Sequence, residues 1–329
     1  MEFENLSTIS TSQSVFRVAH ISDTHISPEY HRTNIFRLKR LLELAVDDGY
    51  DHIAITGDIT ANAEESGYRS VRRLLKHFGL LDRDRLSVTI GNHDIFGGVH
   101  RAEDLLTFGK TCRATDYRKK IRLFESAFSE VLPRKAYEGE NVFPYVKIIG
   151  PLAVVALNSI REFHPFLNPV GSNGLVPDAQ MEEAERILNH PSLSSLKKVV
   201  LVHHHFNKYE PHSDSIGASL YHKFEARTLK LHRSRRVEEM LKRCGVDVVL
   251  HGHTHIEGIY SRSGIIYSST ALTPIRAKND EALEEDDRHL RFNEIAVQES
   301  GSITATKRKY AVGQKGSSSH AVDRKLQVE

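Results

Sequence analysis

The chain has 329 residues, is 39% hydrophobic and carries a formal net charge of +2. This suffices to bury the core of one large α/β domain, while the balanced charge gives no basis for a nucleic-acid partner. No apolar run approaches the roughly 20 residues of a membrane-spanning helix, the polar N-terminus lacks a signal-peptide pattern, and Cys112 and Cys244 set up neither a disulfide framework nor a zinc spacing. The expected location is cytoplasmic.

The first strand, Phe16 to Ser22, leads directly into Asp23. Asn34 is placed as the cap of an amphipathic helix with Ile35, Leu38, Leu41, Leu42 and Ala45 near helical spacing and Gly49 as its stop. A strand from His52 to Thr56 delivers Gly57 and Asp58; a helix from about Ser66 to His77 ends at Gly79; a strand from Leu86 to Ile90 delivers Gly91-Asn92-His93-Asp94. Strands alternating with helices predict a parallel sheet with right-handed crossovers.

From 95 to 145 the pattern loosens into a helical excursion expected to cap the site mouth, with Tyr117 to Val131 its clearest helix and Ile121, Phe124 and Phe128 its core contacts. The sheet resumes at Leu152 to Leu157; Gly174-Leu175 and an Asp178 cap introduce a helix reaching Leu188; Lys198 to Val202 carries His203-His204-His205. Residues 206–245 form a basic insertion. Its stretch from Lys223 to Arg243 reads as a solvated helix with Glu225, Glu238 and Glu239 interspersed, the alternative being a lid whose arginines grip a second phosphate. After the strand Val246 to Leu250 and the segment Gly252-His253-Thr254-His255, short strands near Ile259, Ile265 to Tyr267, Phe292 to Val297 and Ile303 to Lys307 predict an antiparallel finish. The acidic run Asp280 to Asp287 reads as a solvated loop, the domain spans 14–310, and the tail 311–329 is expected to be disordered. His31, His77 and His190 fall outside any pattern and read as surface residues.

Five motifs therefore follow strands in order: Asp23-Thr24-His25, Gly57-Asp58, Gly91 to Asp94, the triple histidine, and Gly252 to His255. In an extended segment residues two apart share a face, so Asp23 and His25 can grip one cation, and His253 and His255 can hold one or two. Nitrogen and oxygen donors without thiolate suit manganese, iron or zinc. One carboxylate must bridge two ions about 3.5–4 Å apart, and Asp58 is the candidate, as the only acid at the end of its strand. Two such divalent ions lower the pKa of a bound water toward ~7 and supply hydroxide as nucleophile.

This order, D-x-H, GD, GNHD, H and GHxH, resembles the calcineurin-like metallophosphoesterase superfamily over Asp23 to His255. The resemblance implies a four-layer α/β/β/α sandwich of two mixed sheets with flanking helices, and a di-metal centre between the sheets. It implies that Asp23, His25 and His255 hold one metal, Asn92, His203 and His253 the other, and Asp58 both. His93 would face the substrate as a phosphate contact or general acid, Asp94 would orient it, and Asn92 and His255 would also touch substrate. His203 is chosen from the triple histidine because it leaves the strand directly; His205 remains the alternative, and the expected proline after a His-His pair is replaced by His205-Phe206.

The expected function is hydrolysis of a small phosphodiester of the cyclic-nucleotide or glycerophosphodiester type. The alternative is pyrophosphate cleavage in a nucleotide-linked lipid of the UDP-diacylglucosamine type, motivated by the apolar excursion and the basic stretch. Nuclease action is disfavoured by charge balance, and a non-catalytic interaction module by the retention of every ligand position. The expected partner is the small phosphoester itself, and a homodimer is compatible with the sequence.

Overall fold

The computed structural model describes residues 15–100, 104–133, 141–206, 229–272, 289–311 and 320–328. Strands β1 (Phe16–Ile21), β2 (His52–Thr56) and β3 (Leu86–Thr89) lie parallel, joined by helices α1 (Asn34–Asp47) and α2 (Glu65–His77). Their apolar, β-branched sequences are buried almost throughout, as central parallel strands covered on both faces require. Helix α1 buries Leu38, Leu41, Leu42 and Ala45 against this sheet, and α2 buries Tyr68, Val71 and Leu75. Each such leucine contributes on the order of 2 kcal/mol. Both helices stop at a left-handed glycine, Gly49 and Gly79. Asn34 is the first helical residue rather than the cap, and its side-chain amide donates to the Thr24 carbonyl at 3.0 Å, tying the helix to the loop after β1.

The excursion contains α3 (Asp104–Ala114) and α4 (Tyr117–Ala127), then β4 (Tyr145–Ile149), which pairs antiparallel with β5 (Leu152–Ala156). Ile121 and Phe124 of α4 and the following Phe128 enter the main core. A two-stranded ribbon joins β6 (Gly174–Leu175) to β8 (Leu231–His232). Between them come α5 (Asp178–Leu188) and β7 (Lys197–Leu201); α6 (Ser234–Arg243), β9 (Val248–His251), β10 (Gly258–Arg262), β11 (Ile265–Ser269), β12 (His289–Val297), β13 (Ile303–Ala311) and β14 (His320–Val328) follow. The first sheet has the order β14-β13-β12-β1-β2-β3 and the second β10-β11-β9-β7-β5-β4. Both are mixed. Their inner faces meet through Val18, Ala54 and Ile295 on one side and Val154, Val199, Leu201 and Leu250 on the other. On the outer face of the second sheet, α5 and α6 cover Val155, Val200 and Val249. The result is the expected four-layer α/β/β/α sandwich.

Two expectations are corrected, and of the two readings of the basic stretch the described part agrees with the solvated helix. The antiparallel finish is divided, with β10 and β11 completing the second sheet while β12 and β13 extend the first beyond β1. Residues 320–328, expected to be disordered, form a strand paired with β13; Val322, Leu326 and Val328 carry a period-two pattern at the end of a polar tail. In the described part of the basic insertion, Arg233 and Arg236 pair with Asp178 and Arg243 with Glu185, so these arginines bind α5 rather than form a lid. Lys223, Glu225, Arg227, the acidic run Asp280 to Asp287 and the serines 317–319 lie outside the described residues.

Candidate metal centre

The carboxyl ends of β1, β2 and β3 in one sheet and β7 and β9 in the other open on the same region, and the five motifs follow those ends. Open α/β sheets place ligand sites at such ends. The loops are laced by main-chain bonds, Asp23 N–H to Gly57 O at 3.1 Å, His25 N–H to Asp58 O at 2.9 Å and Gly252 N–H to His203 O at 3.0 Å. A Cβ on Gly91 would collide with Asp58, and one on Gly252 with Ser22 and Asp23, so both glycines admit a carboxylate against the main chain.

The chain does not stay extended past the strands. Asp23, His25, Asp58, His253 and His255 all take positive φ, between 43° and 77°. Only the left-handed region gives L-residues such φ, and Asn, Asp and His enter it more readily than other non-glycine residues. The shared face expected for Asp23 and His25 in a straight strand is thus replaced by two left-handed residues flanking Thr24, whose hydroxyl donates to the Ile59 carbonyl at 2.8 Å.

Asp58 is central. Its Oδ2 lies 3.4 Å from His203 Nε2, 3.8 Å from His25 Nε2 and 4.0 Å from His93 Nε2, while Oδ1 accepts the His93 main-chain N–H at 2.8 Å. On one side, His25 Nε2 and His255 Nε2 stand 3.1 Å apart, with Asp23 Oδ1 4.0 Å and 3.7 Å away. On the other, His203 Nε2 is 3.1 Å from both Asn92 Oδ1 and His253 Nδ1. His205 stacks on the His253 ring at 5.9 Å and is not among these donor sets, while His204 turns to Ser159 Oγ at 2.8 Å and the Ser172 carbonyl at 3.1 Å. Seven predicted ligand positions thus converge.

Burial is the largest influence on the electrostatics. It lowers His25 and His253 well below the ordinary imidazole range, reinforced by their neighbouring histidines, so both present the neutral form that ligates a cation. Burial raises Asp23. It also pushes Asp58 up, but His203, His93 and His25 outweigh it and hold this carboxyl well below its usual range. His203 is lowered by burial yet carried to about 9 by Asp58 and Asp23. Its Nδ1 bonds the Thr56 carbonyl at 2.9 Å and therefore carries the hydrogen, which aims Nε2 into the cluster.

The structure brings His93 to the edge of this group. Its side chain is 25% exposed, as is that of His255, whereas those of Asp23, Asp58 and His203 are at most 2% exposed. The His93 ring meets His25 edge-on at 4.4 Å, and its Nδ1 bonds the Ala61 carbonyl at 3.1 Å. Asp94 does not orient it. The two Asp94 oxygens accept from Ile59 N–H at 3.1 Å, Thr60 N–H at 2.9 Å, Thr60 Oγ1 at 3.1 Å, Tyr68 OH at 3.2 Å and Gly91 N–H at 3.0 Å. Asp94 therefore braces the ends of β2 and β3 against α2. Burial, and then the Asp58 charge, push it up to about 6.

The model of the calcineurin-like phosphoesterase family matches residues 16–257, from the start of β1 to just beyond His255. The chain belongs to the calcineurin-like phosphoesterase family. In fold, this calcineurin-like phosphoesterase is similar to a dimetal phosphatase from Danio rerio, at a TM-score of 0.57 and 12% identity over 95% of this chain and 98% of that one. It is also similar to a purple acid phosphatase from yellow lupin (Lupinus luteus) seeds, at a TM-score of 0.53 and 14% identity over 94% of this chain and 54% of the lupin chain. At such identities the likeness is one of fold. No curated protein matches this phosphoesterase by sequence. Among its described residues no helix is long and apolar enough to cross a membrane.

The family uses a dinuclear metal centre, and the donors of this phosphoesterase fit one. Three sets converge with all ligand atoms within 4.8 Å of one another: Asp23, His25 and His255; His25, Asp58 and His93; and Asp58, His203 and His253. Nitrogen and carboxylate donors without sulfur match manganese, iron or zinc. Residues that sequence reasoning passed over gather at His100, whose ring shares Gly98 with His93: Tyr30 stacks on it and Asn62 bonds it, and His31, read as a surface residue and exposed, meets it edge-on. The one available signal was the Gly97-Gly98 pair that carries the chain from His93 to His100.

Proposed function

We propose that this phosphoesterase hydrolyses a small phosphodiester at a centre of two divalent ions, with Asp23, His25 and His255 holding one, Asn92, His203 and His253 the other, and Asp58 both. The observation that carries the reading is Asp58 Oδ2, an oxygen that faces His25 on one side and His203 on the other. Bound there, the ions supply Lewis acidity that activates water and neutralises phosphate charge. The chain supplies the rest. Buried Asp23 and Asp58 set a charge that cations balance, and the neutral imidazoles orient them.

His93 serves the leaving oxygen. The Ala61 carbonyl can only accept, so His93 Nδ1 carries a hydrogen and Nε2 faces the cluster. In the imidazolium form Nε2–H donates a proton to the departing alkoxide, a general-acid contribution of about 10²–10⁴ in rate. Diester cleavage needs that proton because an alkoxide is a poor leaving group. Asn92 and His255 line the same opening and contact the phosphoryl oxygens. Cys112 and Cys244 are buried and unpaired, which fits a reducing, cytoplasmic setting.

Pyrophosphate cleavage in a nucleotide-linked lipid is the second reading. It is favoured by exposed Leu106 of α3 and Phe166 of the loop after β5, apolar positions in segments that follow the site ends of β3 and β5. A panel on manganese-loaded protein tests both: an aryl diester, an aryl monoester, cyclic nucleotides and a UDP-linked lipid. Faster turnover of the diesters is expected. Preference for the UDP-linked lipid would replace the leading reading, and turnover persisting in chelator would refute the metal mechanism.

A further inference from the structure

Next to His93 lies a group of rings with no part in holding the ions. Tyr30 and His100 stack with centroids 4.3 Å apart and planes 12° apart, and His31 meets His100 edge-on at 5.6 Å. Tyr30 and His31 come from the loop after β1 and His100 from the loop after β3, so the fold joins them across some seventy residues of sequence. His31 is exposed and the other two are half-buried, in contrast to the buried donors around Asp58.

The group is fixed to the same main chain as the proposed acid. Ala61 O holds His93 Nδ1 at 3.1 Å, and the next residue, Asn62, holds His100 Nε2 through Oδ1 at 2.5 Å. A Cβ on Gly98 would run into the His93 ring and come within 3.4 Å of His100 Cε1, so both imidazoles rest on one glycine. His93 and His100 are thereby set in register with each other. A ring anchored through one edge keeps its plane constant, the condition for a preorganised stacking surface.

We propose that Tyr30, His31 and His100 form a subsite for the organic group of the substrate, and that it takes a planar aromatic ring, aryl or nucleobase. The inference rests on the reading of the adjoining centre as a phosphoesterase site. A phosphorus atom held between Asp58 and His93 would direct one ester oxygen toward His93, and the group on that oxygen would pass toward the stacked rings. Ring-on-ring stacking is available to an aromatic group and not to an alkyl one, so the subsite selects an aromatic over an alkyl ester about tenfold or more. Glycerol-type groups gain nothing from it.

The test uses full-length, manganese-loaded protein and two matched ester pairs, benzyl and butyl methyl phosphate diesters and benzyl and butyl phosphate monoesters, with binding of benzyl and butyl methylphosphonate measured by calorimetry as a readout independent of turnover. Wild type should prefer benzyl over butyl in both KM and Kd. Tyr30→Leu and His31→Ala should weaken the benzyl compounds about tenfold more than the butyl ones, whereas Tyr30→Phe keeps the preference and Arg69→Ala on α2 changes neither. Equal weakening of both compounds by Tyr30→Leu, or no benzyl preference in wild type, would overturn the subsite. Failure of the phosphodiesterase reading shows separately, as monoesters turning over faster than diesters while the benzyl preference persists on both.

Discussion

Asp94 makes the sharpest prediction, because sequence and structure assign it different work. Asparagine keeps its shape, yet its NH₂ can replace only one oxygen. At Oδ2 that group would confront the N–H groups of Ile59 and Gly91; at Oδ1 it would confront the Thr60 N–H and two hydroxyls, Thr60 and Tyr68. Hydroxyls can rotate and accept, so the second orientation wins and strands one buried main-chain donor. A stranded donor costs about 1–3 kcal/mol, and because burial and Asp58 already disfavour the charge on this carboxyl, its loss adds nothing to that cost. The cost of Asp94→Asn is about 2 kcal/mol, a substantial share of the roughly 5–15 kcal/mol that holds a domain folded. Urea denaturation followed by circular dichroism should be run at pH 8, above the value of about 6 to which burial and Asp58 raise this carboxyl. With a slope of about 3 kcal/mol per molar urea, the midpoint should fall by about 0.7 M. An unchanged midpoint together with a hundredfold loss of turnover would refute the bracing role and restore Asp94 as an orienter of His93.

Asp58→Ala should abolish activity and leave fewer than two ions per chain by elemental analysis; retention of two would end the bridging assignment. His93→Ala should reduce kcat by about 10²–10⁴ with metal content intact, and a lost ion would show that His93 is itself a ligand. Lys147 of β4 is buried and donates from Nζ to the carbonyls of Arg83 and Leu86; burial, then the Arg83 charge, lower it from 10.5 to about 7. Between about pH 7 and 10 the unfolded chain binds this proton and the folded chain does not, so stability rises with pH by up to about 1.4 kcal/mol per unit. Below pH 7 both states carry the proton and the contribution is flat. Urea midpoints at pH 7 and 9 should show that rise in wild type and its absence in Lys147→Met; an identical rise in the variant would place its origin elsewhere.

The strands carrying the motifs were legible because parallel, doubly covered strands demand unbroken β-branched runs, and those at His52–Thr56 and Leu86–Thr89 have no other reading. The donor set was legible because each member directly follows such a run. What stayed hidden depends on distant partners. No local signal says that β12 joins β1 rather than β11, or that His31 and His100 meet, since neither pairing leaves a periodicity. Nor does the sequence announce the left-handed turns at Asp23 and His25, where tolerance by Asp and His permits the geometry without demanding it. Asp94 was misread because adjacency to His93 in the chain is a poor guide to contact at a turn, where successive side chains diverge.

The pairing of β1 with β12 sets a condition on how the molecule is made. Arg17 and Glu294, which bridge these strands at 2.9 Å, are 277 residues apart in sequence. During synthesis β1 emerges among the first described segments but acquires this neighbour almost last, so for most of translation one edge of the first sheet has no partner strand. Such an edge is a template for pairing with other chains, and closure across so long a loop is intrinsically slow. Truncation before β12 would therefore leave every proposed metal ligand present in the polypeptide while exposing the strand that carries Asp23 and His25. The architecture makes assembly of the centre a late, whole-chain event.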